Sequence, residues 1–430
     1  MKGFFLTTLL SLALGAGLWA QESDWHGKLE VGPSSITMVF HLGEDNGKLD
    51  VPDQGAKDIP MEVSLSPMMN LKISIPVINA RYEGLMLGNK IVGTFTQHGQ
   101  SFPLTLMPGL PQIRRPQTPT PPFPYSTEEV SFRNGDALLR GTLVLPEGCT
   151  KDTPAVVFVT GSGLQNRDEE IYSHKPFAVL ADALARAGIA SMRYDDRGFG
   201  QSTGDVVNAT TEDLKNDAMA GVLLMRERFN KVGVLGHSEG GAIALMLASE
   251  GKTDFIVSLA GAVISMKETL IWQNRRLLYD SGYSDEVVDE YCKALSEVFD
   301  SAINGTHSPS VQGYDLPPGM KTNLEAVGRQ CSTPYMRYLL KMDLTDSLGR
   351  VTCPVLALNG SLDVQVWGER NLSVLKERLP STPGNSIHGV EGLNHLFQHC
   401  KTGTAEEYKD IEETISPEVL SEIVTWVNGL

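Results

Sequence analysis

Two pentapeptides of the form Gly-x-Ser-x-Gly could present a serine for nucleophilic chemistry: Gly200-Gln-Ser202-Thr-Gly204 and Gly236-His-Ser238-Glu-Gly240. In a chain with 42 glycines the string alone decides nothing, but its setting does. A reactive serine of this kind needs a strand that runs into a sharp turn and a helix that starts at once. The strained residue then lifts its hydroxyl above the sheet, at a helix N-terminus. Val232-Gly-Val-Leu-Gly236 reads as that strand, and Gly241-Ala-Ile-Ala-Leu-Met-Leu-Ala248 as that helix, so Ser238 is the candidate nucleophile. Ser202 follows Asp195-Asp-Arg-Gly-Phe-Gly200, already past a strand, and precedes Asp205-Val-Val-Asn-Ala, which is no helix start. It reads as a loop serine.

A serine hydroxyl is a poor nucleophile at neutral pH and needs a general base, usually His, oriented by a carboxylate. Asp363 stands just beyond the apolar run Val355-Leu-Ala-Leu-Asn-Gly360 and is the candidate acid; His395, in Gly392-Leu-Asn-His-Leu-Phe397, is the candidate base. Of the other histidines, His388 is expected inside a strand and His399 one turn into the following helix. His237 is expected to pack, because consecutive side chains on a tight turn diverge. The developing oxyanion needs two backbone donors. One is the amide of Glu239; the other is expected from Thr160-Gly161-Ser162-Gly163-Leu164-Gln165, with Ser162 favoured and Gly163 second. That loop is not a dinucleotide site, since Asn166 stands where the third glycine is required, and no cofactor is expected.

These residues need a scaffold. From Pro124 onward, apolar runs suited to buried strands (Ala155 to Val159, Gly188 to Arg193, Phe255 to Leu259, Val355 to Leu358, about Ile387 to Val390) alternate with helical patterns at 177–187, 211–229 and 240–249. Val130-Ser-Phe132 and Leu138 to Leu145 read as an antiparallel pair at the sheet edge. Such alternation implies a mostly parallel sheet covered on both faces. Between Phe255 and Val355 lies a helix-rich insertion, about 265–347, in which Ser284 reads as an N-cap and Val287, Val288, Tyr291, Leu295, Val298 and Phe299 share one helical face, read as packing. Ahead of the sheet, residues 21–107 alternate apolar and polar side chains in five short runs and read as a small all-β domain; residues 108–124, with seven prolines, read as a stiff linker.

Composition bounds the rest. With 41% hydrophobic and 20% charged residues the chain is neither collagen-like, coiled-coil nor disordered. A net charge of −16 argues against a nucleic-acid partner. Five cysteines without a C-x-x-C pair give no support to a metal site, and Cys292 with Cys331 is the disulfide to test first. Lys2 followed by an apolar stretch from Phe4 to Trp19 and a polar switch after Ala20 reads as a cleaved signal peptide (1–20), hence a secreted or periplasmic protein with no stable membrane anchor.

Asp196-Arg-Gly-Phe-Gly-Gln-Ser202, Gly236-His-Ser-Glu-Gly-Gly241, Asp363 and Gly392-Leu-Asn-His395 resemble the α/β-hydrolase superfamily over about 300 residues, which places the catalytic domain at 125–430. Gly161-Ser-Gly-Leu-Gln-Asn-Arg-Asp-Glu169, with the small β domain, resembles a bacterial group of secreted and thermophilic carboxylesterases. Thr160 departs from the His that many members carry. The resemblance implies an α/β sheet with a helical cap insertion over the site and serine carboxylic-ester hydrolysis of small-molecule esters without cofactor or metal. Arg167 and Asp168 are expected to pair with each other at the pocket floor. The rivals are a serine aminopeptidase or prolyl-oligopeptidase-like peptidase, the latter lacking room for a β-propeller in about 85 residues, and a non-catalytic polymer-binding protein.

Overall fold

The structure is a computed structural model that describes residues 23–430 apart from 32–33, 55, 67 and 112–113. The apolar N-terminal stretch with its expected cleavage after Ala20 lies outside the described residues. The chain divides into two compact units, Met1–Arg114 and Arg115–Leu430.

In the first unit, alternation of apolar and polar residues becomes a closed antiparallel barrel of eight strands: β1 (Ser23–Val31), β2 (Ser34–Leu42), β3 (Asn46–Val51), β4 (Ala56–Leu65), β5 (Asn70–Ile75), β6 (Ala80–Leu87), β7 (Lys90–Gln97) and β8 (Gln100–Pro108). Each pairs with the next, and β8 closes on β1 through Trp25 opposite Pro108 and His26 opposite Met107. The sequence pattern exposes five of these strands; β1, β3 and β6 escape it because Lys, Glu, Arg or Asp side chains on their outer faces dilute the apolar signal. Phe40, Leu49, Leu71, Ile73, Tyr82, Ile91, Phe95 and Leu106 fill the barrel with a packed interior, as a barrel of eight strands allows. The Tyr82 hydroxyl, buried among them, sits 3.2 Å from the carbonyls of both Ile91 and Leu104.

The second unit holds an eight-stranded sheet. Its strands are β9 (Tyr125–Asn134), β10 (Ala137–Pro146), β11 (Ala155–Val159), β12 (Ala190–Tyr194), β13 (Val232–His237), β14 (Ile256–Leu259), β15 (Val355–Gly360) and β16 (Ser386–Val390). They lie in the order β9-β10-β12-β11-β13-β14-β15-β16. β9 and β10 form an antiparallel edge, and β12 onward is parallel. All five residues of β11 are buried because helices cover both faces. On one face α1 (Pro176–Arg186) and α9 (Pro417–Asn428) contribute Phe177, Leu180, Leu184, Val419, Ile423 and Val427. On the other, α2 (Thr211–Arg226), α3 (Glu239–Ser249) and α8 (Gly368–Arg378) contribute Ala218, Val222, Ile243, Leu372 and Leu375. After β11 the chain steps to β12 on one side and then returns to β13 on the other. The loops leaving β11 and β13 therefore face each other across the crevice where such sheets bind ligands.

Between β14 and β15 the chain builds four helices, α4 (Met266–Asp280), α5 (Asp285–Asn304), α6 (Pro318–Gln330) and α7 (Pro334–Lys341). They have their own apolar cluster, in which Val288, Tyr291, Leu295, Val298 and Phe299 of α5 pack with Leu324 and Leu340. Ser284 precedes α5 in extended backbone, and Gly305 ends it in the left-handed region. Cys292 and Cys331 share this cluster as free thiols, so the expected disulfide is not formed; all five cysteines are free. The proline-rich segment is fastened to the second unit from Arg115 on. The Arg115 guanidinium donates to the carbonyls of Tyr172, Lys409 and Ile411, and the Gln117 amide to that of Ile415.

Candidate active site

Ser238 occupies the turn between β13 and α3 with φ 53° and ψ −116°. A non-glycine residue there is strained, and such strain is held only where the surroundings over-determine it. The Ser238 N–H donates to the Leu259 carbonyl of β14 at 2.8 Å, and its carbonyl accepts from Ala242 at 3.2 Å. The flanking glycines answer a steric demand. A Cβ on Gly236 would lie 1.9 Å from the Gly240 carbonyl oxygen, and one on Gly240 would lie 2.0 Å from that of Val159. The other Gly-x-Ser-x-Gly serine, Ser202, is buried in a loop, where its hydroxyl donates to the Asp195 carbonyl and accepts from the Arg140 N–H.

The structure brings Asp363 and His395 together. His395 Nδ1 lies 2.7 Å from Asp363 Oδ2, with both side chains almost wholly buried. Asn359 also donates to Oδ2, at 2.9 Å, while Oδ1 accepts the Gln365 and Val366 N–H groups at 2.7 and 3.0 Å. Burial alone would raise the Asp363 carboxyl, but His395 and these donors hold it below the ordinary carboxylate range. The His395 loop is pinned by Asn394, whose side chain bonds Leu396 N, Gln398 N and the Gln398 side-chain amide. Among the described residues no hydrogen bond joins Ser238 to the imidazole. His388 lies in β16, facing Glu422. His399 is not helical: it pairs with Leu393 in an isolated bridge and contacts Glu413 and Glu418, because the next α-helix begins only at Pro417.

Neither the Ser162 nor the Glu239 backbone N–H donates to another described residue, and both residues line the same cavity as Ser238. The loop carrying Ser162 is braced from below by two acids that sequence reading missed. Asp196 accepts from the Thr160 hydroxyl at 2.7 Å and the Gln165 N–H at 2.8 Å; Glu169 accepts the Gly161 N–H at 2.7 Å. Burial pushes the Asp196 carboxyl up to about 8. Thr160, which stands where many members of the resembled group carry His, thus ties this loop to Asp196. Arg167 and Asp168 do not pair with each other. The Arg167 guanidinium grips Asp195 at 3.0 and 3.1 Å and Glu129 at 2.7 Å, whereas Asp168 meets Arg193 and Lys175. As neighbours on an irregular loop they point apart.

The Ser238 cavity measures about 80 Å³ and is closed on the insertion side by Met266 and Leu270 of α4 and Leu339 of α7. Across it, the Glu239 carboxyl accepts from Thr211 at 2.6 Å and from the Tyr335 hydroxyl of α7, and burial holds it above the ordinary carboxylate range. A larger cavity of about 740 Å³ lies behind the acid, beside the stacked Trp272 and Trp367, but neither Ser238 nor His395 lines it. The chemistry points to the smaller space.

The sheet order, with the strained serine between β13 and α3 and an aspartate and a histidine beyond β15 and β16, is that of an α/β-hydrolase core fold. The profile described as "Serine aminopeptidase, S33" matches residues 172–279. The chain is related to Esterase EstD of Thermotoga maritima, 27% identical over 308 residues that span 71% of this chain and 68% of that one. It is 26% identical to a monoglyceride lipase of Rattus norvegicus over 262 residues, 58% of this chain and 76% of that one. Among solved structures it is similar to the Pyrococcus furiosus esterase Pf2001, at 16% identity and a TM-score of 0.45 over 75% of this chain and 98% of that one.

Proposed function

We propose that the chain is a serine carboxylic-ester hydrolase working through an acyl-enzyme on Ser238. The Ser238 hydroxyl oxygen attacks the ester carbonyl carbon as His395 Nε2 takes its proton. The bond to the alcohol oxygen breaks, that proton passes to the leaving group, and the acyl group stays on Ser238. Water, activated by the same imidazole, then releases the acid. Asp363 holds the ring in the tautomer that leaves Nε2 free to accept. The amides of Ser162 and Glu239 would receive the oxyanion, each worth roughly 3 kcal/mol of barrier.

The observation that carries the reading is the serine at φ 53° on the head of α3, whose neighbour His237 reaches the His395 carbonyl at 2.9 Å, with the His395 imidazole joined to the Asp363 carboxylate at 2.7 Å. The names of the curated relatives, an esterase and a lipase, support ester over amide chemistry. Ser238→Ala should lower turnover of a short p-nitrophenyl ester by about 10⁶-fold; hydrolysis retained by the folded variant sinks the assignment. Peptidase action is favoured by the description of the matching family and by a carboxyl, Glu239, lining the cavity. Yet both Glu239 oxygens already accept hydrogen bonds, which leaves little for a substrate amine. Turnover of aminoacyl anilides compared with simple esters decides between the two. The N-terminal apolar stretch supports an extracytoplasmic location, checked by N-terminal sequencing of the exported protein.

A further inference from the structure

His237 is buried beside the nucleophile, and acyl transfer as written above gives it no part. Both of its ring nitrogens are engaged. Nδ1 lies 3.0 Å from Glu169 Oε1, and Nε2 lies 2.9 Å from the backbone carbonyl of His395. Glu169 Oε1 also accepts the Gly161 N–H at 2.7 Å, and the rings of His237 and His395 are 4.6 Å apart between centroids. One side chain thereby ties together three segments: the loop before Ser162 through Glu169, the elbow through its own backbone, and the base loop through the His395 carbonyl.

The pattern of acceptors fixes the ring's protons. A carbonyl can only accept, so Nε2 carries hydrogen. Imidazole is a stronger base than a carboxylate by about two pKa units in model compounds, so the proton between Nδ1 and Oε1 belongs to the ring. His174 gives the contrast. Its Nδ1 faces the Thr414 hydroxyl, which can donate, and its Nε2 the Tyr408 carbonyl, so a neutral ring satisfies both, and burial pushes its pKa down to about 4. Burial works the same way on His237, but there Glu169 and the His395 carbonyl overcome it and the value is raised; Asp363 adds to the effect.

We propose that His237, as a buried imidazolium paired with Glu169, is a positioning residue that locks the Gly161–Ser162 loop and the His395 loop to the elbow. Its work is to set the oxyanion donors and the general base relative to Ser238 before substrate arrives, and in this it rests on the acyl-enzyme reading of the site. Ring and backbone of His395 are then held separately, the ring by Asp363 and the backbone by His237.

The test uses the full chain. His237→Gln can span only one of the two partners and keeps a similar volume. Its kcat on a p-nitrophenyl ester should fall on the order of 10²-fold, the loss expected for about 1 Å of misplacement, while KM stays within about threefold. Fluorophosphonate labelling of Ser238, which uses the same donors, should slow in parallel. In the unmodified protein, a nitrogen-15 NMR titration should show both His237 ring nitrogens protonated up to a pH above the ordinary imidazole range, with those signals absent from His237→Gln. A His237 ring that loses its proton at or below the ordinary imidazole range, or a folded His237→Gln with kcat within threefold of the parent, overturns the proposal. If the variant does not fold, the NMR result decides alone. Should Ser238→Ala keep its activity, the acyl-enzyme reading fails while the protonation of His237 remains independently decided.

Discussion

Gly240 is where packing and chemistry meet most closely. A Cβ added there would lie 2.0 Å from the Val159 carbonyl oxygen and 2.6 Å from that of Thr160, whereas ordinary contact begins near 3.4 Å. The obstacle is backbone on both sides, so relief requires α3 and the end of β11 to part by about 1.4 Å. Glu239 sits at the head of α3 and Ser162 two residues past Thr160, so the same movement separates the two N–H groups proposed to share the oxyanion. Misplacement on this scale costs about 10²-fold in rate, and losing a donor outright costs about 10² to 10³. Gly240→Ala is therefore expected to lower kcat by 10² to 10³ with KM changed less than about fivefold. Overpacking should destabilise the fold by about 1 to 3 kcal/mol. The assay is steady-state hydrolysis of a p-nitrophenyl ester, run well below the variant's unfolding midpoint, with fluorophosphonate labelling alongside. Gly319→Ala, where an added Cβ meets nothing within 4 Å, serves as the control and should leave kcat unchanged. A folded Gly240→Ala with kcat within threefold of the parent would refute the argument that this contact sets the oxyanion donors.

Three further outcomes follow from the same geometry. Ser238→Gly should abolish turnover yet raise the melting temperature, since it relieves a backbone at φ 53° worth about 1 kcal/mol; a lower melting temperature contradicts the strain reading. Asp363→Asn should lower kcat by about 10⁴-fold by presenting the wrong tautomer of His395, with KM little altered. The depressed Asp363 carboxyl contributes stability that is present above its unfolded value near pH 4 and is lost as pH falls through its lower folded value. Urea midpoints should accordingly drop on acidification in the parent and drop less steeply in Asp363→Asn.

What the sequence disclosed and what it hid have separable causes. The elbow was legible because β13 and α3 are continuous apolar runs that meet at a small set of glycines, and the fully buried strands announce themselves by length and composition. Glu169 and Asp196 were not legible: each lies in an irregular loop, and each chooses a partner, Gly161 or Thr160, that only the tertiary fold brings near. His237 was taken for packing on the sound premise that neighbours on a tight turn diverge; divergence carried its ring to Glu169 and to the carbonyl of His395. Arg167 and Asp168 failed for the same reason in reverse, since adjacency in sequence was read as adjacency in space. His399 was expected one turn into a helix, but the loop turns back through the Leu393 bridge before α9 begins.

The two units handle one hazard of β structure in different ways. An exposed strand edge offers a row of free N–H and carbonyl groups on which another chain can nucleate. The N-terminal unit removes the hazard by closure, since β8 returns to β1 and all eight strands are paired on both sides. The sheet of the second unit ends openly at β16 and at β9, and at β9 the protection is electrostatic: Glu128, Glu129 and Arg133 are exposed along that strand. Truncating the charges of β9 should make the protein self-associate on storage, while comparable surface changes on the barrel leave its solubility unchanged.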